Sequence, residues 1–190
     1  MRRNFLFVFL LLVAVVVLPA CAGPLFYSGK EIHGQIVDDE TGQPLAGVII
    51  VAQWELMQIG PGHSGHAGTM VNIIEAVTDT KGEYFIPSWG PRPRLPFNYL
   101  DGSDPELSIF KSGYMPTGLS NPFQSEESAN HSVRTSDWDG KVIRLKKFEG
   151  GSLEDFAGRL SSLRGGLADD GRRWRSFPRM VLAVDAEYVT

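Results

Sequence analysis

Residues 34–51 read GQIVDDETGQPLAGVIIV, and this stretch decides the fold. Ile32, just before it, and Ile36 are an even number of residues apart, so a half-buried strand places both on one face. Residues 38–44 then combine the residue types of a tight turn. The β-branched run at 45–52 is typical of a buried strand. The stretch therefore predicts two strands joined by a short polar turn.

Further strand signals continue downstream. Short runs with strand-like composition occur at 71–78, 84–87, 107–110 and 142–146. Turn residues such as those at 79–82 separate them. About seven short strands joined by turns predict a mainly β protein that folds as a β-sandwich.

Three segments carry no strand signal. The small residues of 58–70 predict a long loop, and residues from about 117 to 139 predict a polar loop. Pro91, Pro93 and Pro96 are expected to interrupt any regular element between these two loops.

Four groups of turn residues occur in a fixed order between residues 31 and 147. They are Ile32-x-Gly34-x-Ile36-x-Asp38, Thr41-Gly42-x-Pro44-Leu45-x-Gly47-Val48, Thr78-Asp79-x-x-Gly82-x-Tyr84-x-Ile86 and Gly113-Tyr114. This series resembles the carboxypeptidase regulatory-like domain family. The resemblance implies a transthyretin-like β-sandwich, related to the immunoglobulin architecture, that stabilises, spaces or binds. The chain departs from the family pattern by an insertion at 53–72 and by long loops after Trp89 and Met115.

The residues of these motifs suit a structural role. Glycines provide close packing and unusual turns, here at Gly34, Gly42, Gly47 and Gly82. Asp38 and Asp79 are expected to accept backbone hydrogen bonds within their own turns. The motifs are therefore predicted to build a fold, not a reaction centre.

The N-terminus has the order of a secretory signal. Arg2 and Arg3 precede an apolar run from residue 5 to residue 18, and small residues follow. The run has 14 residues, whereas a membrane-spanning helix needs about 20. We interpret residues 1–20 as a signal peptide, with a permanent transmembrane anchor as the alternative.

The end of this segment, Leu18-Pro19-Ala20-Cys21, resembles a bacterial lipobox. The resemblance implies that the thiol of Cys21 is acylated and that the mature chain begins there. Pro19 departs from the residues usual at that position. Cys21 is the only cysteine, so it cannot form a disulfide within the chain, and several acyl groups would hold the protein stably on a membrane. Residues 21–30 would then form a tether.

Lipidation implies a location in the bacterial cell envelope. Ala22 resembles the sorting pattern of outer-membrane lipoproteins, so the outer membrane, facing the periplasm, is favoured over the inner membrane in a host with two membranes. Removal of residues 1–20 leaves 16 Lys and Arg against 22 Asp and Glu, a formal net charge of −6. Such a surface argues against nucleic acid as a partner.

In the C-terminal residues 148–190 the spacing of apolar residues changes from that of a strand to that of a helix. Ser152 and Asp155 have the spacing of a helix start, and apolar residues at helical spacing follow up to Gly165-Gly166. Residues 176–188 predict a second helix, with an added strand as the alternative because of its valines. The region is therefore expected to form a helical extension of the sandwich.

Arginines cluster between these two segments. Arg172, Arg173, Arg175 and Arg179 surround Trp174. The sequence leaves open a solvated helix flank, which we favour, or a patch that binds lipid headgroups or a partner.

Complete catalytic motifs are missing from the sequence, so we expect a protein without enzymatic activity or cofactor. Ser108 and Lys111 match a Ser-x-x-Lys string, but a strand would turn them to opposite faces. His63 and His66 form the one arrangement that could bind zinc or copper, with His131 or His33 as a third ligand. The alternative function is therefore a metal-dependent enzyme or metal-binding protein built on this pair.

Four tryptophans, Trp54, Trp89, Trp138 and Trp174, could stack on a glycan or a partner protein, or could pack within the sandwich. Trp138 is the best candidate for a binding anchor because it lies in a polar segment. The sequence thus predicts an exported, lipid-anchored envelope protein with a binding or structural β-sandwich, and it leaves the ligand open between an envelope protein and a glycan.

Overall fold

The structure is a computed structural model that describes residues 25–60, 63–94, 98–100, 102–122, 132–149, 153–167 and 173–187. Of residues 58–60, 63–69, 164–167 and 173–174 it describes the backbone but not the side chains. Cys21, the predicted signal peptide and His131 lie outside the described residues.

The described part of the chain is mainly β, with strands in three sheets. Sheet A contains β1 (Phe26–Gly29) between β6 (Trp89–Pro93) and β10 (Val133–Arg134). Sheet B contains β2 (Ile32–Asp38), which pairs in parallel with β11 (Lys141–Leu145) and antiparallel with β5 (Glu83–Ile86).

Sheet C is the largest and is antiparallel. Its order is β4 (His63–Val77), β3 (Ile49–Gly60), β8 (Glu106–Phe110) and β9 (Thr117–Leu119), and β7 (Asn98–Leu100) also pairs with β3. Two helices follow the strands: α1 (Leu153–Leu167) and α2 (Pro178–Glu187), with a short 3-10 helix at Arg173–Ser176 between them.

The main core lies between sheets B and C, and side chains of sheet A also pack against it. Alternate residues of each strand point inward, as the period of two in a strand requires. Buried residues from the two facing sheets include Ile32, Ile36, Ile86, Ile143, Ile50, Trp54, Leu107 and Ile109. Tyr27 of β1 joins the same cluster. The predicted β-sandwich is thus confirmed as a mainly β fold.

A second core covers the opposite face of sheet C. Val51 and Phe110 contact α1 and α2 through a cluster of buried apolar side chains that includes Leu160, Leu163, Phe177, Met180 and Val184. The C-terminal region is therefore a packed layer of the fold. The alternative of a strand at 176–188 is wrong for the described residues, because 178–187 form α2.

The start of α2 explains why this segment is a helix despite its valines. Pro178 occupies the first turn, where its missing N–H is not needed. The Glu75 carboxylate on β4 accepts hydrogen bonds from the backbone N–H groups of Met180 (2.8 Å) and Arg179 (3.3 Å). A side chain of the sheet thus caps the helix, and Met180 and Val184 are buried against the sheet.

The predicted loop at 58–70 is wrong. Residues 49–60 and 63–77 form a long hairpin, with register shifts between Trp54 and Glu55 and between Leu56 and Met57. Backbone pairing to β3 sets the structure here, and such irregularities let a strand accommodate small residues that lack strand periodicity.

The tether and the proline-rich segment also need correction. Residues 26–29, within the predicted tether, form β1. Pro91 and Pro93 lie in β6, which is an edge strand of sheet A. Proline lacks an N–H donor, and an edge strand tolerates this because one side of its backbone needs no partner strand.

The polar segment at 117–139 is not entirely loop. It contains β9 and β10, while residues 123–131 lie outside the described residues. β9 extends sheet C beside β8, and β10 pairs in parallel with β1. Tertiary pairing therefore gives strand structure to residues whose own pattern is weak.

Candidate functional site

The turn after β2 is organised by Asp38, which is 3% exposed. Its Oδ1 accepts hydrogen bonds from the backbone N–H of Thr41 (2.8 Å), the Thr41 hydroxyl (2.9 Å) and the backbone N–H of Glu40 (3.1 Å). Its Oδ2 accepts a hydrogen bond from the Tyr114 hydroxyl (2.9 Å) and lies 3.3 Å from Lys147 Nζ. The carboxylate therefore joins three distant parts of the chain.

This network favours the charged form of Asp38. The backbone N–H of Thr41 contributes most to holding the pKa of Asp38 well below its usual value, and Tyr114 and Lys147 add to the effect. Burial, together with the hydrogen bond to Asp38, raises the pKa of Tyr114. The hydrogen bond to Asp38 raises the pKa of Lys147. The cluster is therefore a fixed ion pair with a neutral tyrosine.

A second turn network joins the start of β3 to the end of β4. The Thr78 hydroxyl donates to the Leu45 carbonyl (2.6 Å) and accepts from the Val48 backbone N–H (2.9 Å). Asp79 Oδ1 accepts the backbone N–H groups of Lys81 (2.8 Å) and Glu83 (2.9 Å). The predicted turn roles of Asp38 and Asp79 are confirmed.

The structure explains why two positions of the sequence motifs require glycine. Gly82 has a φ of +72°, and an added Cβ would collide with the backbone of Ile36. An added Cβ on Gly34 would lie 2.5 Å from the Tyr84 hydroxyl oxygen. Burial raises the pKa of Tyr84 to about 12, and the charge of Asp139 contributes. Gly82, Gly34 and Tyr84 therefore serve the packing of the fold.

The outer face of sheet B carries an exposed apolar strip, defined by His33, Phe85 and Val142. The rings of His33 and Phe85 lie 4.8 Å apart between centroids, and Phe85 and Val142 are 51% and 54% exposed. A groove of about 700 Å³ is lined by these residues together with Glu83 and Lys141, and also by Ala76 and Val77 of β4. The strip is the candidate binding surface of the sandwich.

The predicted tryptophan anchors lie mostly inside the fold. Trp54 is buried, and its ring contacts that of the partly buried Trp89 edge-on at 5.2 Å. Trp138 is half-buried against the main core, and its Nε1–H donates to the Ser120 carbonyl (3.1 Å). The side chain of Trp174 lies outside the described residues. The Nε1–H group of Trp138 is thus bonded within the chain, and its ring packs partly against the core.

The histidine pair lies on β4, not in a loop. The backbone of His63 pairs with Gly60 and that of His66 with Met57, but their side chains lie outside the described residues. His33 belongs to sheet B, whereas this hairpin belongs to sheet C. Among the described side chains, no group of three or more His, Cys, Asp or Glu could hold a metal ion.

The Ser-x-x-Lys string does not form a reacting pair. Ser108 is buried in β8, and Lys111 Nζ donates to the Ala46 carbonyl (3.0 Å). In the arginine cluster, Arg175 and Arg179 are exposed, while Arg172 lies outside the described residues. Within the described part of the chain, no helix is both long and apolar enough to cross a membrane.

Four side chains of the structure were not predicted from the sequence. Lys147 was not linked to Asp38, because a separation of over one hundred residues hides the ion pair. Glu75 gave no signal as a helix cap, since it lies on a strand. Phe85 and Val142 could have been found, because each is an apolar residue on the solvent-facing period of a half-buried strand.

No known sequence family matches the chain, and no curated protein matches it either. Among solved structures it is similar to a chlorocatechol 1,2-dioxygenase from Pseudomonas putida, with 15% identity, a TM-score of 0.34 and coverage of 65% of this chain and 61% of that one. It is also similar to a 3-chlorocatechol 1,2-dioxygenase from Rhodococcus opacus 1CP, with 16% identity, a TM-score of 0.36 and coverage of 64% and 61%.

A catechol 1,2-dioxygenase from Pseudomonas arvilla C-1 has 14% identity and a TM-score of 0.34, with 72% of this chain and 57% of that chain covered. The match therefore spans 57–61% of the length of these three enzymes. These TM-scores are too low to support a shared fold or a shared activity.

Proposed function

We propose that the chain is an exported lipoprotein, anchored through acylated Cys21, whose carboxypeptidase regulatory-like β-sandwich is a non-enzymatic binding or structural module of the cell envelope. Function is carried by the exposed strip of sheet B, and the partner it fits is an envelope protein. No cofactor takes part.

The observation that carries this proposal is the use of the polar motif residues. Asp38, Thr78, Asp79 and Tyr114 all bond within the chain and fasten turns to one another. A catalytic group needs a polar atom directed at a substrate. Side chains that make their hydrogen bonds within turns indicate a structural role instead.

The chemistry of the strip favours a protein over a glycan. Phe85 and Val142 offer apolar contact, and Glu83 and Lys141 add opposite charges to the lining of the same groove. An apolar centre with a polar rim is typical of protein interfaces. The surface lies on rigid strands, so a partner would find it already formed.

The anchor is supported by the sequence around Cys21. The apolar run ends in Leu18-Pro19-Ala20-Cys21, and the chain offers no second thiol for a disulfide. Acyl chains on Cys21 would hold the sandwich at a membrane, in keeping with a binding role at a surface.

Metabolic labelling of bacteria with a lipid precursor tests the anchor. We expect label on the full-length protein, and loss of both label and membrane retention for Cys21→Ala. Ala22→Asp is the matched control, since it keeps the thiol; it should retain the label and move the protein toward the inner membrane. Retention of unlabelled Cys21→Ala in the membrane fraction would contradict the proposal.

A separate experiment tests the proposal that the protein does not use a metal ion for catalysis. The full-length protein, purified without a histidine tag, is expected to contain no stoichiometric zinc, copper or iron. Bound metal that disappears in the His63→Ala, His66→Ala double variant would overturn the non-enzymatic assignment and favour the metal-dependent alternative.

A further inference from the structure

Sheet A exposes apolar side chains beside the proposed anchor. Leu25, Phe26 and Val133 are 71%, 53% and 43% exposed, although each would normally favour burial. We propose that this set, the anchor-side patch, lies against the lipid surface and inserts its side chains into the interfacial region of the bilayer. The inference rests on the proposed acylation of Cys21.

Strand geometry places Phe26 and Val133 on one surface. Tyr27 is buried in the main core, so its neighbours Phe26 and Ser28 point to the other side of β1. Ser28 is paired with Val133 on β10, and residues opposite each other in paired strands share a face. Phe26 is paired in the same way with exposed Pro93. The patch is therefore continuous across three strands.

The chain between the anchor and the patch is short. Cys21 and Leu25 are separated by four peptide steps, which span about 14 Å when fully extended. Because β1 begins at Phe26 and is paired on both sides, the sandwich cannot move far from the acyl chains. The surface around Leu25 is thus the part of the domain nearest the bilayer.

Charge around the patch suits anionic headgroups. Lys30 is exposed directly after β1. Exposed Glu31 follows Lys30, but its carboxylate lies 3.7 Å from His33 on the sheet B side. Lys30 therefore places a cation beside the apolar patch, and a cation there favours an anionic membrane surface.

Other exposed apolar side chains provide an internal comparison. Leu182 lies on α2, which packs on sheet C, and Phe85 lies on the outer face of sheet B. Neither belongs to sheet A. A membrane that contacts only the anchor-side patch would leave both residues in water.

Site-specific fluorescence tests the contact on the full acylated protein. Once Cys21 is acylated, a single introduced cysteine is the only free thiol, so Phe26→Cys, Val133→Cys, Phe85→Cys and Leu182→Cys can each carry one environment-sensitive fluorophore. The labelled proteins are reconstituted into vesicles of phosphatidylethanolamine and phosphatidylglycerol that contain a lipid-attached nitroxide quencher. All four substitutions replace exposed side chains, and circular dichroism checks that each variant is folded.

We expect blue-shifted emission and several-fold stronger quenching at positions 26 and 133 than at positions 85 and 182. Equal, water-like emission and weak quenching at all four positions would overturn the inference. The proposed function fails in a different way: a protein that carries no acyl label and does not sediment or float with the vesicles refutes the anchor before any fluorophore is read.

Discussion

The two outer faces of the sandwich differ in what covers them. On sheet C, α1 and α2 bury Val51 and Phe110 in a second core. On sheet B, Phe85 and Val142 remain more than half exposed. One face therefore contributes to stability, and the other is left available for contact with a partner.

The residue pattern of the strands reflects this difference between the two faces. Residues 49–52 of β3 form a continuous apolar run because both sides of this strand are buried. β5 alternates between exposed and buried residues, as does β11 from Val142 to Leu145, because only one side of each strand faces the core. The pattern of each strand thus shows whether a second layer packs on it.

The largest expected effect comes from a matched pair of phenylalanines. Phe110→Ala, under the helices, should lower the free energy of unfolding by about 3–5 kcal/mol, because it leaves a cavity between sheet C and α2. Phe85→Ala, on the exposed strip, should change it by only about 0.5 kcal/mol. Chemical denaturation of the two variants measures both values. Similar losses for the two would show that the faces do not differ as described.

A pair of strand glycines should give the next largest effect. In Gly34→Ala the new methyl group collides with Tyr84 inside the main core, which should cost about 1–3 kcal/mol. In Gly118→Ala, on β9, the nearest atom outside the neighbouring residues is a flexible Glu106 oxygen at 3.8 Å. That change should be neutral or slightly stabilising, since alanine has less backbone entropy to lose than glycine. Thermal unfolding that ranks Gly118→Ala as the more harmful would contradict the packing at Gly34.

Removing the cap of α2 should have a smaller effect. Glu75→Ala deprives the N–H groups of Arg179 and Met180 of their acceptor and should cost about 1 kcal/mol. Glu154→Ala, an exposed acidic residue in the first turn of α1, is the control. Hydrogen exchange should become faster at the two α2 amides in the Glu75 variant only. Unchanged exchange there would show that the cap does not hold the helix on sheet C.

The last stability effect depends on pH and is lost in acid. The pKa of Asp38 in the folded chain lies below its usual value of 3.8, so its stabilising effect is complete above that value and is lost as the pH falls below it. Asp38→Asn should therefore be less stable than the native chain at neutral pH, and the difference should shrink below about pH 4.

Urea unfolding at a series of pH values measures this difference, with the exposed neighbour Asp39→Asn as control. A gap between Asp38→Asn and the native chain that stays constant down to strongly acid pH would show that the charge of Asp38 does not matter to the turn.

Much of the sandwich could be predicted because its strands carry their own pattern. The alternation around Ile32 and Ile36 and the buried run of β3 are local signals. The hairpin at 58–70, β1 and β6 could not be predicted, since partner strands impose their structure. Pro91 and Pro93 even argue against a strand until the edge position of β6 is known.

The candidate site likewise combines features that the local sequence predicts with features that depend on the fold. The turn roles of Asp38 and Asp79 follow from neighbouring N–H groups and were predictable. The pairing of Asp38 with Lys147 depends on the fold and was not. The helices were predicted as elements, but their packing on sheet C, which leaves sheet B as the exposed face, required the structure.

Photocrosslinking in intact cells tests most directly the claim that sheet B is the working face. A photoreactive amino acid replaces Phe85 on the exposed strip or, as a control, the more exposed Leu182 on α2. We expect one adduct from position 85 that protease digests, as a crosslinked protein would be, and no adduct from position 182. No adduct from position 85, equal adducts from both positions, or a protease-resistant glycan adduct would contradict this expectation.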